Sequence, residues 1–273
     1  MKNKKRIKTL LIYLIMLFFT VITIGPFIFT LLISLKGAQE GIFTTVLPQD
    51  PTLSNYVDAF RGANFGAFLL NTAIATGLAV PLNILFCSLA AYPLARMDFR
   101  GKTLALTVII STMAVPFQLF MAPLFQLTGD LGLRNSYLGL IVLQVGTAFG
   151  IFLVRQAYLT IPKALEESAY IDGANIFQVW FRVVLPMIKP TLITLGIYTF
   201  TFTWGDYLWP LLNTTNSDMY TLSIGLAQLS QSFSGANMKL ISAASLMTTI
   251  PSIFIFIWLQ RYFVGTTSGA VKG

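Results

Sequence analysis

The chain reads as an all-α, polytopic membrane protein. Three observations predict this. Apolar residues make up 55% of its 273 positions and charged residues 10%, against about 25% charged in an ordinary soluble domain. Mean hydropathy is +0.74. Six long runs are free or almost free of charge, and the basic residues between them fall unevenly on the two sides those runs define.

Each run is long enough to cross a hydrocarbon core of about 30 Å, which takes roughly 20 helical residues. The first is 9–35. It follows Lys2, Lys4, Lys5, Arg6 and Lys8, as a secretory signal would, but it is too long for a signal core and lacks a small-residue cleavage site, so a retained anchor is expected. The next four are 67–95, 103–127, 136–154 and 190–211, the last interrupted by Asp206 alone. The sixth is 240–260. Segment 219–238 is uncharged but rich in Ser, Gln and Gly, which fits an external loop carrying a surface helix, and 36–66 fits irregular surface structure. No soluble domain fits between the runs, so residues 1–273 are expected to form a single transmembrane domain. Prolines 26, 81, 93, 116, 123, 210 and 251 lie in or near the spans and are expected to bend them.

With the amino terminus inside, parity places 14 of the 18 Lys+Arg on the cytoplasmic side and both termini in the cytoplasm. This asymmetry accounts for the net charge of +8 without nucleic acid, which would need a contiguous basic face. There is no histidine, and the one cysteine, Cys87, lies inside an apolar run. Ser-His-Asp and Cys-His catalysis are thereby excluded, and no metal site is expected.

The polar insert 155–189 carries the most information. Ile161-Pro162 opens a short helix to about Ile171, since proline suits a first helical turn. Asp172-Gly173 ends it with a left-handed corner. In a second short helix Phe177, Trp180, Phe181 and Val184 recur as an apolar stripe that would seat it on the bundle, and Leu185-Pro186 closes it. The first helix then projects an acidic, small-residue tip able to enter a cleft and meet arginines there. The alternative is an amphipathic hairpin lying on the inner membrane surface, which the clustered acids of this segment disfavour because that surface is negative.

Asp206 is the one carboxylate inside an assigned span. It lies 16 residues beyond Pro190, roughly 24 Å along a helix, near the outer end of the core. Trp204, Tyr207, Trp209 and Asn213 surround it in sequence. Carboxylate, amide and aromatic groups together suit a sugar, whose hydroxyls hydrogen-bond and whose apolar faces stack. The same residues also suit a membrane interface.

Gly101-Lys102-Thr103 resembles the end of a phosphate loop, but Arg96 stands where the first glycine is required, so the motif fails. Gly146 and Gly150 form a small-residue pair that reads as close helix packing. The alternative of a single-chain ion-coupled carrier would want several paired charges at mid-membrane, where this chain offers only the off-centre Asp206, and a membrane enzyme would need a nucleophile–base pair, which the sequence lacks.

Glu167-Ser168-Ala169, then Gly173, then Val183 and Leu185-Pro186, resembles the EAA loop of binding-protein-dependent ABC importer permeases, with Ser168 in place of an alanine. The chain is most similar to the carbohydrate-type, maltose-permease-like subunits. Ser34-Leu35-Lys36, Asn55-Tyr56, Ala90–Arg96, Ile161-Pro162 and the ending Gly269–Gly273 are further landmarks, whereas Gly265-Thr266-Thr267 departs from the family's Gly-Leu-Thr and Trp204-Gly205 from its Trp-Asn. The resemblance implies an ABC importer permease fold in the bacterial inner membrane. It also implies a second homologous permease, an ATPase dimer carrying ATP and Mg²⁺, an extracytoplasmic solute-binding protein, and no cofactor on this chain. Glu166, Glu167, Ser168, Ala169, Asp172, Gly173, Leu185 and Pro186 become the ATPase-coupling set, with Glu167 meeting an ATPase arginine. Gly269, Lys272 and Gly273 become a tail contact with the ATPase. Asp206 and its neighbours become the solute-path set, for a carbohydrate or alternatively a polyol, compatible-solute glycoside or glycerol phosphate.

Overall fold

The computed structural model describes residues 2–62, 64–231 and 238–268. Among these the secondary structure is helical, with no strand. In order come α1 (Lys2–Ser34), α2 (Ser54–Gly62), α3 (Phe65–Arg96), α4 (Lys102–Thr112), α5 (Met121–Asp130), α6 (Tyr137–Ile141) and α7 (Ala148–Thr160). Then come α8 (Ala164–Ile171), α9 (Ile176–Gln178), α10 (Leu185–Met187), α11 (Lys189–Gly205), α12 (Leu208–Asn213), α13 (Leu222–Gln231) and α14 (Met238–Ser268). The chain divides into two compact units, Met1–Gly66 with Gly225–Ile250, and Ala67–Ile224 with Pro251–Gly273.

In the first unit, Lys8–Ser34 has a mean hydropathy of 2.4 and its most apolar stretch is wholly unburied. Two of its hydroxyls are satisfied within the helix, Thr20 donating to the Met16 carbonyl at 2.7 Å and Thr30 to that of Pro26 at 2.8 Å. Where α1 ends, the Asn55 amide donates to the Ser34 and Lys36 carbonyls, meeting acceptors the helix terminus leaves open. Segment 36–66 is more ordered than irregular surface structure. Lys36, 1% exposed, donates from Nζ to the Gly41 and Thr45 carbonyls and pairs with Glu40 at 3.3 Å. Lys239, 6% exposed, donates to the carbonyls of Gly37 and Ala38. Two lysines thus organise the loop from within, because a buried ammonium has to gather oxygens around it.

Three helices, Lys8–Ser34, Phe65–Arg96 and Met238–Trp258, are long and apolar enough to cross a membrane unbroken. Two of the other runs are bent pairs, and the fifth qualifies only when α11 is joined to Ile176–Met187 of the loop across a 79° bend, giving up to six crossings by length and composition. Lys102–Thr112 and Phe117–Asp130 meet at 99°, just before Pro116, whose ring and missing N–H forbid a continuous helix. Tyr137–Gln144 and Ala148–Leu159 meet at 47°. α7 runs to Thr160, beyond the expected end at 154, because Arg155 Nε finds the Leu94 carbonyl at 3.1 Å. The fifth run does not continue to 211. α11 stops at Gly205, and Asp206 is extended with φ −66° and ψ 129°. Glycine is a poor helix former, and the Asp206 carboxylate accepts from the Trp209 N–H at 3.4 Å, offering the chain a non-helical alternative. The segment read as a loop with a surface helix contains α13, whose Leu222 and Ile224 are buried.

The second unit packs α3, α7, the α8–α10 region and α11 around Cys87, Ala91, Tyr92, Val154, Tyr158, Val179, Trp180, Val184 and Leu195. Gly150 makes the approach possible, since a Cβ there would lie 2.5 Å from Cys87 Sγ and 3.1 Å from a Leu195 methyl. At the break before α7, Asn83 is fully buried. Its amide donates to the freed Gln144 carbonyl, and its oxygen accepts from Thr199 Oγ1 at 3.2 Å, so one side chain joins α3, the break and α11.

Candidate functional site

The insert folds as two short helical pieces around a sharp corner. Glu166 and Glu167 occupy the first turn of α8, where the helix dipole favours acids. Gly173 has φ +82°, its N–H donates to the Tyr170 carbonyl, and the Ala174 N–H donates to that of Ala169. This pairing of bonds is a Schellman ending, which a Cβ would strain. Asn175 immediately caps α9 through a reciprocal pair, the Gln178 N–H to Asn175 Oδ1 at 2.9 Å and the Asn175 N–H to Gln178 Oε1 at 2.8 Å. Sequence reasoning passed over this capping box, although the Asn-x-x-Gln spacing marks it.

The second piece, Ile176–Met187, is not a plain α-helix. Val179–Val184 is π-helical, and the buried side chains are Val179, Trp180 and Val184, with Val183 packed beside them. The expected stripe is therefore half wrong. Phe177 is 70% and Phe181 62% exposed, because the wider turn rotates the seated face away from them.

The two adjacent carboxylates part company. Glu167 is exposed along with Ser168, Asp172 and Gly173, while Ala169 is half-buried against the core and Ile171 is 86% exposed. Leu185 is half-buried and Pro186 exposed. Glu166, 6% exposed, turns inward. Its Oε1 lies 2.5 Å from Arg96 Nε, at ion-pair contact without hydrogen-bond alignment, and its Oε2 accepts from the Tyr92 hydroxyl at 3.0 Å. Arg96 also donates from Nη2 to the Ile161 carbonyl at 2.7 Å. Trp180 Nε1 donates to the Tyr158 hydroxyl at 3.0 Å, which donates to the Ser88 carbonyl at 3.3 Å. The Tyr92 and Tyr158 rings meet edge to face at 5.7 Å, making the two clusters contiguous.

The solute-path set is not brought together. Trp204 stacks on Phe200 at 5.3 Å and lines an apolar groove of about 590 Å³ with Gly77, Pro81, Gly196 and Trp258. Asp206 and Tyr207 line a different hollow with Tyr198, Thr201 and Phe202. Trp209 is 1% exposed and donates from Nε1 to the Gly139 carbonyl at 2.8 Å. Asn213 is fully buried, and its amide has no hydrogen-bond partner among the described residues. Gly269, Lys272 and Gly273 lie outside the described residues. No group of three or more His, Cys, Asp or Glu able to hold a metal occurs among the described residues.

Residues 83–268 match the family described as binding-protein-dependent transport system inner membrane component. The chain is 34% identical to the arabinooligosaccharides transport system permease protein AraQ of Halalkalibacterium halodurans, over 94% of each chain. It is 34% identical to the melibiose/raffinose/stachyose import permease protein MelC of Bacillus subtilis, over 91% of each. With the galactooligosaccharides transport system permease protein GanQ of Bacillus subtilis, identity is 31% over 100% of this chain and 99% of the other. Among solved structures, a chain of a bacterial ABC transporter involved in import of the acidic polysaccharide alginate superposes with a TM-score of 0.84 at 25% identity, covering 95% of this chain and 98% of that one.

Proposed function

This chain belongs to the binding-protein-dependent transport system inner membrane components, and from that premise we propose that it forms half of the solute path of an ATP-driven carbohydrate importer and is driven through the α8–α10 loop. As an ABC permease it is non-catalytic, and ATP hydrolysis belongs to a separate chain. The proposed partners are a homologous second permease, a pair of ATPase subunits that bind ATP and Mg²⁺, an extracytoplasmic solute-binding protein, and lipid around the spans. Relatives named for arabinooligosaccharide, raffinose-type and galactooligosaccharide transport support an oligosaccharide as solute. The placing of 14 of 18 basic residues supports a cytoplasmic loop and cytoplasmic termini.

One observation carries the coupling role. A glycine corner holds out a tip of Glu167, Ser168, Ile171, Asp172 and Gly173, flanked by exposed Phe177 and Phe181. Exposed aromatic and aliphatic side chains beside the Glu167 and Asp172 carboxylates match a partner cleft with apolar walls and an arginine. Glu167→Lys tests this. ATPase retained on the tagged complex, and uptake with it, should fall about thirtyfold or more, the loss of roughly 2 kcal/mol expected when one member of a desolvated charge pair is reversed. Full retention and full uptake would remove Glu167 from the interface. In the solute path, Asp206 and Tyr207 are the proposed lining residues of this chain, on the strength of their hollow, and Trp204 belongs to the neighbouring apolar groove.

A further inference from the structure

We infer that Glu166 and Arg96 are positioning residues that bolt the loop to the end of α3, so that loop and helix move as one lever. The inference rests on the coupling reading above and assigns Glu166 a different task from Glu167. α8 has eight residues, too few to be stable or stiff alone. A force applied at its tip is transmitted only if something holds it.

Both pieces of the loop are held, and both anchors reach α3. Glu166 meets Arg96 and Tyr92, and Arg96 in turn grips the Ile161 carbonyl at the entrance to α8. Trp180, past the corner, reaches the Ser88 carbonyl through Tyr158. These groups are buried, the Arg96 and Glu166 side chains being 7% and 8% exposed. A buried ion pair is a poor way to add stability, since well-packed apolar residues do as well, but it holds an orientation strictly because each charge has one acceptable partner. α3 then carries the displacement inward, for the same helix holds Asn83, which joins the break before α7 to α11, and lines the apolar groove with Gly77, Val80 and Pro81.

The test uses the whole importer in proteoliposomes, with its partner permease, ATPase pair and binding protein. Glu166→Gln, Arg96→Gln and the double variant are compared for solute taken up per ATP hydrolysed and for ATPase retained on the complex. Each single change should lower uptake per ATP about tenfold, an ordinary coupling energy between sites, with the ATPase still bound. The double variant should be no worse than the worse single, since both break the same contact. Arg96→Lys, which keeps the charge, should recover most of the loss. Unchanged uptake per ATP in both single variants, multiplied losses in the double, or ATPase loss peculiar to Glu166→Gln would overturn the inference. So would failure of even Arg96→Lys to accumulate in the membrane, which would make the pair a folding element. The docking reading fails separately, if Glu167→Lys keeps its ATPase and its uptake.

Discussion

The α8–α10 loop and the α11–α12 junction each place an acid among aromatic residues, and they use them in opposite ways. In the loop, neighbours in sequence are split between two faces: Glu166 is drawn into Arg96 and Tyr92 while Glu167 stands in solvent. At the junction, five residues that look like one site are scattered over a groove, a hollow and the packed interior. The difference teaches that local capping chemistry sets the loop's corner, whereas a distant partner sets the place of Trp209 at the junction. The corner at Gly173 and the Asn175–Gln178 box are made within ten residues. Trp209, by contrast, is claimed by Gly139, 70 positions away.

Four substitutions probe that contrast, in falling order of effect. Trp209→Ala should destabilise the detergent-solubilised protein most, by about 3–5 kcal/mol, as truncation of a fully buried aromatic does, and should leave the KM for solute unchanged in protein that survives. An altered KM would return Trp209 to the path. Gly173→Val should cost about 2 kcal/mol through its left-handed backbone, and should lower uptake more than it lowers the thermal midpoint, because the corner aims the tip. Asn175→Ala should cost about 1 kcal/mol, the usual worth of an N-cap, with a milder loss of uptake than Gly173→Val. Asp206→Ala should change stability by less than about 0.5 kcal/mol, because its bond to the Trp209 N–H is long at 3.4 Å; uptake kinetics should shift while the complex assembles normally. Equal effects of the last two changes on both stability and uptake would erase the distinction between the regions.

The sequence made much of this legible. Charge-free runs located the apolar segments, and Pro162 and Gly173 marked the loop's entrance and corner, whereas Leu185-Pro186, expected to close the second helix, lies inside its last turn, which runs to Met187. The bends were harder to read. Pro116 signalled one, but Gly205-Asp206 reads as the outer part of an unbroken span because aromatic residues flank it on both sides. Phe177 and Phe181 were assigned to the seated face on a 3.6-residue repeat, which the π-helical turn over Val179–Val184 does not keep. Lys36 and Lys239 lie 203 positions apart, and nothing local to either reveals that both bind carbonyls of one loop. Asn83 is a lone amide in an apolar run, a visible signal of a buried polar partner, yet Gln144 and Thr199 as those partners follow only from the packing of α3, α7 and α11.

The most direct test of the coupling role is thiol protection at the tip. Cys87 is fully buried and serves as a silent background. Glu167→Cys and Ile171→Cys would each be labelled with a hydrophilic maleimide, in the isolated chain and in the assembled importer. Both positions should react readily alone and become protected when the ATPase subunits are bound. Equal labelling at both positions with and without the ATPase would contradict the account, because the tip would then face solvent in the working machine.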